Sequence, residues 1–399
     1  MGILEILFSL VILIYPFGEI GRLQFSDFAV SVNDIAILIF SSVWIVKKIK
    51  GKKKTIKGEL MKPILVFFSI GGVALLLNIN YLNGNAFTIS FLYLIRWLLY
   101  STIYFSIFDL DSKFRKKIPY LLLFSSTFLL AIGFIQFIFY QNLRNLYYLG
   151  WDEHLYRLFS SFLDPNFAGA FFVLSLILVL GVLVNSYKKI NSFVSILLSL
   201  LAVFNLFAIY LTYSRSALVM LTIGLFSFFI LVGRKRWIFF LSLILIAIIF
   251  LVPKSFETEG TNLLRTASNE ARLKSAGNAL SIVKDNLVFG VGFNAYRYAQ
   301  LRYGFIEGRD WEITHSGAGT DNSFLFVLAT TGIVGLTSFL YLLYKVFKLG
   351  VGRAKKNIYS VILISSLLGL IVNSFFINSL FYVFIIEWIW IIAGLTENS

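Results

Sequence analysis

The run KKIKGKKKTIKGELMK, from Lys47 to Lys62, decides how this chain is read. It carries eight lysines and separates two apolar stretches, residues 28–46 and 63–79, each close to the roughly 20 residues that a helix needs to cross a bilayer. Hydrocarbon offers the main chain no hydrogen-bond partner, so a spanning segment pairs its own N–H and C=O groups as a helix, or closes with others into a barrel. Barrel strands alternate over about 10 residues, whereas these stretches are continuously apolar. Lysine and arginine next to spans are held on the cytoplasmic side, which places Lys47–Lys62 inside.

Working outward, hydropathy predicts twelve spans near residues 2–18, 28–46, 63–79, 88–108, 118–140, 167–185, 191–212, 215–233, 237–253, 321–344, 357–376 and 379–395. The orientation set by the first basic loop requires every second connection to be basic. It is: Lys113, Arg115, Lys116 and Lys117 follow the fourth span, Lys188 and Lys189 the sixth, Arg234, Lys235 and Arg236 the eighth. Lys345, Lys348, Arg353, Lys355 and Lys356 follow the tenth. The expected fold class is therefore all-α, a single polytopic membrane domain over residues 1–399, with both termini cytoplasmic and a long extracytoplasmic loop at 254–320.

Composition agrees with that class. The chain is 58% hydrophobic and only 14% charged, where water-soluble domains carry about 25% charged residues. The net charge of +15 sits largely in short loops beside spans, where it sets topology and implies no nucleic acid. No cysteine is present, so disulfides, thiol catalysis and cysteine-ligated metals are excluded. Residues 2–17 lack a basic leader and a small-residue cleavage site and read as a retained span. No internal repeat, and no pair of interrupted helices of the kind transporters use, stands out.

The face opposite the lysines has a different chemistry. Of its twelve cations nine are arginine: Arg22, Arg144, Arg157, Arg215, Arg265, Arg272, Arg297, Arg302 and Arg309. Topology alone requires no particular cation, whereas the planar guanidinium fork pairs bidentately with phosphate. Any one loop arginine also has an ordinary reading, as the partner of a loop acid such as Glu257 or Asp310. Arg215 stands at a near loopless junction between two spans, and Arg96 lies inside the fourth, where a cation needs a partner. Asp34 and Glu387 are the acids within predicted spans, so Arg96 either pairs structurally with one of them or faces a ligand.

Residues 268–285 repeat apolar positions at Leu273, Ala276, Leu280 and Val283, which predicts an amphipathic helix on the membrane surface, capped by Ser268. Asp164-Pro165-Asn166 reads as a helix start. His315 and Asp321 flank the start of the tenth span and are the acid–base candidates, with ordinary readings as a solvated histidine and a helix cap. No residues show metal-ligand spacing, and no glycine pattern resembles a nucleotide loop.

Three blocks in order resemble the O-antigen ligase and Wzy-type polysaccharide polymerase superfamily. They are Arg157-Leu-Phe-Ser-Ser-Phe-Leu-Asp-Pro-Asn166, Thr212-Tyr-Ser-Arg215-Ser-Ala, and a third running from Arg272 through Val288-Phe-Gly-Val-Gly-Phe-Asn294 to Asp321-Asn322 and Thr331-Gly-Ile-Val-Gly-Leu336. The resemblance implies a bacterial inner-membrane glycosyltransferase acting at the extracytoplasmic face. Its donor would be an undecaprenyl-diphosphate-linked oligosaccharide, with no metal or other cofactor. A chain-length regulator and a flippase would be partners. The family's junction arginine falls on Arg215, and the arginine opening the loop helix on Arg272. Ligases carry His-Asn where this chain has Asp321-Asn322, a departure that favours the polymerase.

The mechanism so implied is direct displacement. Arg215 and Arg272, joined by Arg157 or Arg297, hold the diphosphate, and Asp321 or His315 takes the acceptor's proton. The alternatives are a ligase that transfers the glycan to lipid A core and, from another class, a polytopic transporter or flippase of lipid-linked oligosaccharide.

Overall fold

The computed structural model describes residues 2–25, 28–51, 56–186, 191–234, 236, 261–263, 267–306, 319–355 and 357–398. Each apolar run within them becomes a helix: α1 (Ile3–Leu13), α2 (Val32–Lys50), α3 (Met61–Leu77), α4 (Gly84–Ser106), α5 (Ile118–Phe139), α6 (Pro165–Ser186), α7 (Ser192–Leu211) and α8 (Arg215–Leu231). After the loop helices α9 (Ala267–Asp285) and α10 (Tyr296–Arg302) come α11 (Ser323–Val351), α12 (Ile358–Asn373) and α13 (Val383–Glu397). Short polar residues start them. The side chains of Ser31, Asn83, Asn191, Ser214 and Asn357 each accept a hydrogen bond from a first-turn N–H that has no partner inside its helix.

Among the described residues, α4, α5, α6, α7 and α11 are long and apolar enough to cross a membrane, while α1, α3, α8 and α12 are apolar but shorter. The ninth expected span, 237–253, lies outside the described residues. The outer surface is apolar: on α7, Phe193, Ile196 and Val203 are exposed, a face that water would disfavour and lipid solvates. Inside, α12 packs against α6, α8 and α13, and α11 against α3. The α8–α12 contact is close because Gly369 faces the main chain; a Cβ there would meet the Met220 carbonyl oxygen at 3.0 Å.

Four expectations need correction. A two-stranded antiparallel hairpin, β1 (Arg22–Phe25) and β2 (Phe28–Ser31), precedes α2, pairing Arg22 with Ser31. The second span therefore begins at Val32 and not at 28, where the Ser31–Asp34 capping box starts it. On α9, Ala279, Ile282 and Val283 are buried while Leu273 and Leu280 are exposed, so the expected apolar stripe is split between two faces. That helix begins at Ala267, one residue before the predicted cap.

The fourth correction concerns α11, which is broken at Gly332, with φ 66° and ψ −169°. An unbroken helix would bond Ile333 N–H to Ala329 and Val334 N–H to Thr330. Instead Ile333 N–H donates to the Leu287 carbonyl (2.8 Å) and Val334 N–H to that of Val288 (3.4 Å). The Ala329 and Thr330 carbonyls accept from Val291 N–H (3.0 Å) and Gly292 N–H (2.9 Å). These four main-chain groups freed by the break are paired with the segment Leu287–Gly292, which is how a span tolerates irregular backbone. Gly290, at φ 65°, makes this fit, since a Cβ there would lie 2.4 Å from the Thr330 carbonyl carbon. The break is filled by this chain's own backbone, unlike the open breaks that hold a transporter's cargo.

Candidate functional site

At the helix ends opposite the lysine-rich loops lies a cavity of about 770 Å³. The hairpin, α4, residues 150–167, the start of α9, residues 293–298, 319–321 and 377–386 all contribute to its wall.

Arg157 and Arg215 are set by one piece of local architecture. The loop before α6 turns sharply, with His154, Tyr156, Ser160 and Leu163 all at positive φ. Such residues cost of order 1 kcal/mol each and persist only where neighbours enforce them. Gln136 of α5 does so: its Nε2 donates to the carbonyls of Tyr140 (2.9 Å) and Arg157 (3.2 Å), and its Oε1 accepts from Phe159 N–H (2.8 Å) and Ser160 N–H (3.0 Å). Buried Arg157 then donates through Nε to the Thr212 carbonyl at 2.9 Å. Ser214 caps α8 and donates its hydroxyl proton to Asn166 Oδ1 at 2.9 Å. Asp164 Oδ1 accepts from Asn166 N–H at 2.6 Å at the start of α6. The first two sequence blocks thus dock on one another.

Arg215 follows as the first residue of α8. It does not line the cavity; it reaches across to α9, donating to Asn269 Oδ1 at 2.8 Å. Arg272, one turn further along α9, does line it, as do Arg157 and Arg297. Burial lowers the pKa of Arg272, Asp321 opposes that shift, and Arg215 adds to it through like charge. Arg215 and Arg272 therefore feel one another from different elements.

Asp321 also lines the cavity. It is not the cap of α11: that is Asn322, whose Oδ1 accepts from Phe324 N–H (2.9 Å) and Leu325 N–H (3.0 Å). The Asp321 side chain is open to the cavity, yet protein surrounds it at longer range, and that crowding pushes its carboxyl up. Arg272 pulls it down and Asp164 pushes it up again. Asp152 is raised in the same way, by burial and then by Asp164 and Asp321, with Arg157 opposing. A carboxylate whose proton affinity is raised in this way is suited to accept a proton. His315, the other acid–base candidate, lies outside the described residues.

The intramembrane charges divide. Arg96 Nε lies 2.6 Å from Asp34 Oδ1, a contact of charges whose angle is not that of a hydrogen bond, and both residues line the cavity. Glu387 is fully buried behind them, is absent from the wall, and accepts from Asn33 Nδ2. Arg22 and Asp164 also face the cavity, as do Glu19, Asp152 and His154, to which sequence reasoning gave no role. Among the described residues no group of three or more His, Cys, Asp or Glu could hold a metal ion.

No curated protein matches the chain. Residues 200–340 match the family described as O-antigen ligase. That stretch includes Arg215, Arg272, Arg297 and Asp321, whereas Arg157 and the Arg96–Asp34 pair precede it. This helical membrane protein is thus similar, over the segment that supplies Arg272, Arg297 and Asp321 to the cavity, to O-antigen ligases, in support of the wider superfamily of ligases and Wzy-type polymerases.

Proposed function

We propose that the protein is a polysaccharide polymerase of the bacterial inner membrane, joining undecaprenyl-diphosphate-linked oligosaccharide repeats at the extracytoplasmic face. The observation that carries this reading is the gathering of Arg157, Arg272 and Arg297, from three separate segments, around one cavity with Asp321. Guanidinium groups stabilise the charge that grows on the diphosphate as its bond to the anomeric carbon breaks. The acceptor hydroxyl oxygen forms the new bond to that carbon, and its proton passes to the Asp321 carboxylate. The lipid diphosphate leaves, held by Arg272 with Arg215 behind it. Both termini are cytoplasmic in this reading, and a flippase and a chain-length regulator are its partners.

The test supplies purified protein with undecaprenyl-diphosphate repeat units and no other enzyme. A ladder of products is expected, and its absence with an active substrate preparation counts against the polymerase. The family description favours a second reading, the ligase, which in the same assay adds glycan only when lipid A core is supplied.

A further inference from the structure

The Arg96–Asp34 pair faces the cavity but takes no part in the displacement described above. It is firmly built. Asp34 accepts from Ser31 N–H (2.8 Å), Ser31 Oγ (2.8 Å) and the Tyr100 hydroxyl (2.6 Å) in addition to meeting Arg96. The Arg96 guanidinium carbon lies 5.4 Å from the Tyr93 ring centroid and 5.8 Å from that of Tyr100. Tyr93 is braced edge-on by Phe28 at 6.0 Å, and Trp97 by Phe67 at 5.0 Å. Tyr93 and Trp97 line the cavity beside the pair.

Charge decides which ligand suits this wall. An incoming anion meets attraction from Arg96 and repulsion from Asp34, and with the two 2.6 Å apart these nearly cancel. A hydroxyl both donates and accepts, so adjacent hydroxyls gain from the carboxylate and the guanidinium together. The pattern recurs along the same wall, where Arg22 Nη1 lies 3.3 Å from Glu19 Oε2. Aromatic rings next to a few fixed polar groups complete a surface for a molecule with one apolar and one hydroxylated face.

We infer that Arg96, Asp34, Tyr93 and Trp97 form a subsite for an uncharged sugar ring, with neighbouring hydroxyls on the ion pair and the C–H face against the aromatic rings. The inference rests on the glycan reading above and adds a preference for neutral over acidic sugars at this position.

The test uses full-length protein in nanodiscs and saturation-transfer NMR with two kinds of probe of matched size: neutral disaccharides (lactose, cellobiose and diacetylchitobiose) and the hexuronate disaccharide digalacturonate. At least one neutral probe is expected to receive saturation, with little change from low to high salt. The double variant R96M/D34N removes both charges without stranding either, and is expected to weaken that binding by about tenfold or more. Tyr93→Leu, a half-buried position, should weaken it as well and decides the matter if the double variant does not fold. The inference is overturned if no neutral probe binds, if digalacturonate binds better and in a salt-sensitive way, or if these variants bind as the parent does. Undecaprenyl diphosphate without sugar is the control for the rim: Arg272→Ala should weaken its binding and R96M/D34N should not, so the subsite and the diphosphate grip can fail separately.

Discussion

Arg157 Nε donates to the main-chain carbonyl of Thr212 at 2.9 Å, tying the loop before α6 to the junction that sets Arg215. Lysine at 157 keeps a charge but loses the fork, and alanine leaves the Thr212 carbonyl without this donor. Arg157→Ala should cost about 1.5–3 kcal/mol of stability, as for a hydrogen bond to a charged group. It should also lower chain growth more than that loss explains, because Arg215 is displaced with it. Thermal unfolding in detergent, read beside the product ladder, checks both.

Asp321 gives a pH signature. Burial, reinforced by Asp164, raises its carboxyl above the ordinary range, so the acid limb of the rate profile should lie above that of an exposed aspartate. Arg272 opposes the rise, and Arg272→Gln should therefore move the limb to still higher pH. The folded state binds this proton more tightly than the unfolded chain does. Stability is thus lost as pH climbs from the ordinary carboxylate value through the folded one. Asp321→Asn should abolish activity while leaving the melting temperature at neutral pH equal or higher; a lower melting temperature would contradict the sign.

Gly332→Ala should be among the most damaging single-methyl changes in the chain. Its backbone region belongs to glycine, at a cost of about 1–3 kcal/mol for any other residue, and a Cβ would lie 2.2 Å from the Val288 carbonyl carbon and oxygen. Hydrogen exchange should show Val291 and Gly292 losing protection together with Ile333, since they share one set of bonds. Gly277→Ala, where a Cβ meets nothing within 4 Å, is the matched control.

Arg215 and Asn269 separate holding from gripping. Asn269→Ala removes an acceptor and leaves the cation, so KM for the lipid-linked donor should rise about two- to fivefold with kcat little changed. Arg215→Ala removes the charge itself and should lower kcat/KM by about a hundredfold or more. Equal effects of the two substitutions would mean that Arg215 only anchors α9.

Much of the helical frame could be read directly, because hydropathy and the positions of lysine follow from the solvent and not from tertiary detail. Lys47–Lys62 and the later basic loops set the helix ends without any knowledge of packing. Beyond Arg157, Arg272, Arg297 and Asp321, which the resemblance named and which line the cavity, the site was legible where chemistry is rare in its setting, as with Arg96 and Asp34 inside apolar runs. Gln136 carried the same signal, a lone amide in α5, and it is the residue that folds the loop around Arg157. What stayed hidden depends on backbone geometry. Nothing in Phe-Gly-Val-Gly-Phe says that its N–H groups will pair with a span broken forty residues later, and a four-residue strand such as Arg22–Phe25 is too short to show a period. The choice between Asp34 and Glu387 as partner of Arg96 was likewise a matter of distance alone, and Asn33 takes the glutamate.

The break at Gly332 has a mechanical outcome. Four main-chain bonds rivet the turn after α9 to the interrupted helix, so Arg272 and Asp321 ride on a single stiff jaw. Arg157 and Arg215 belong to an opposing jaw stapled by Gln136 and the Thr212 carbonyl. The Arg215–Asn269 side-chain contact latches the two, and a latch of that kind yields long before rivets do.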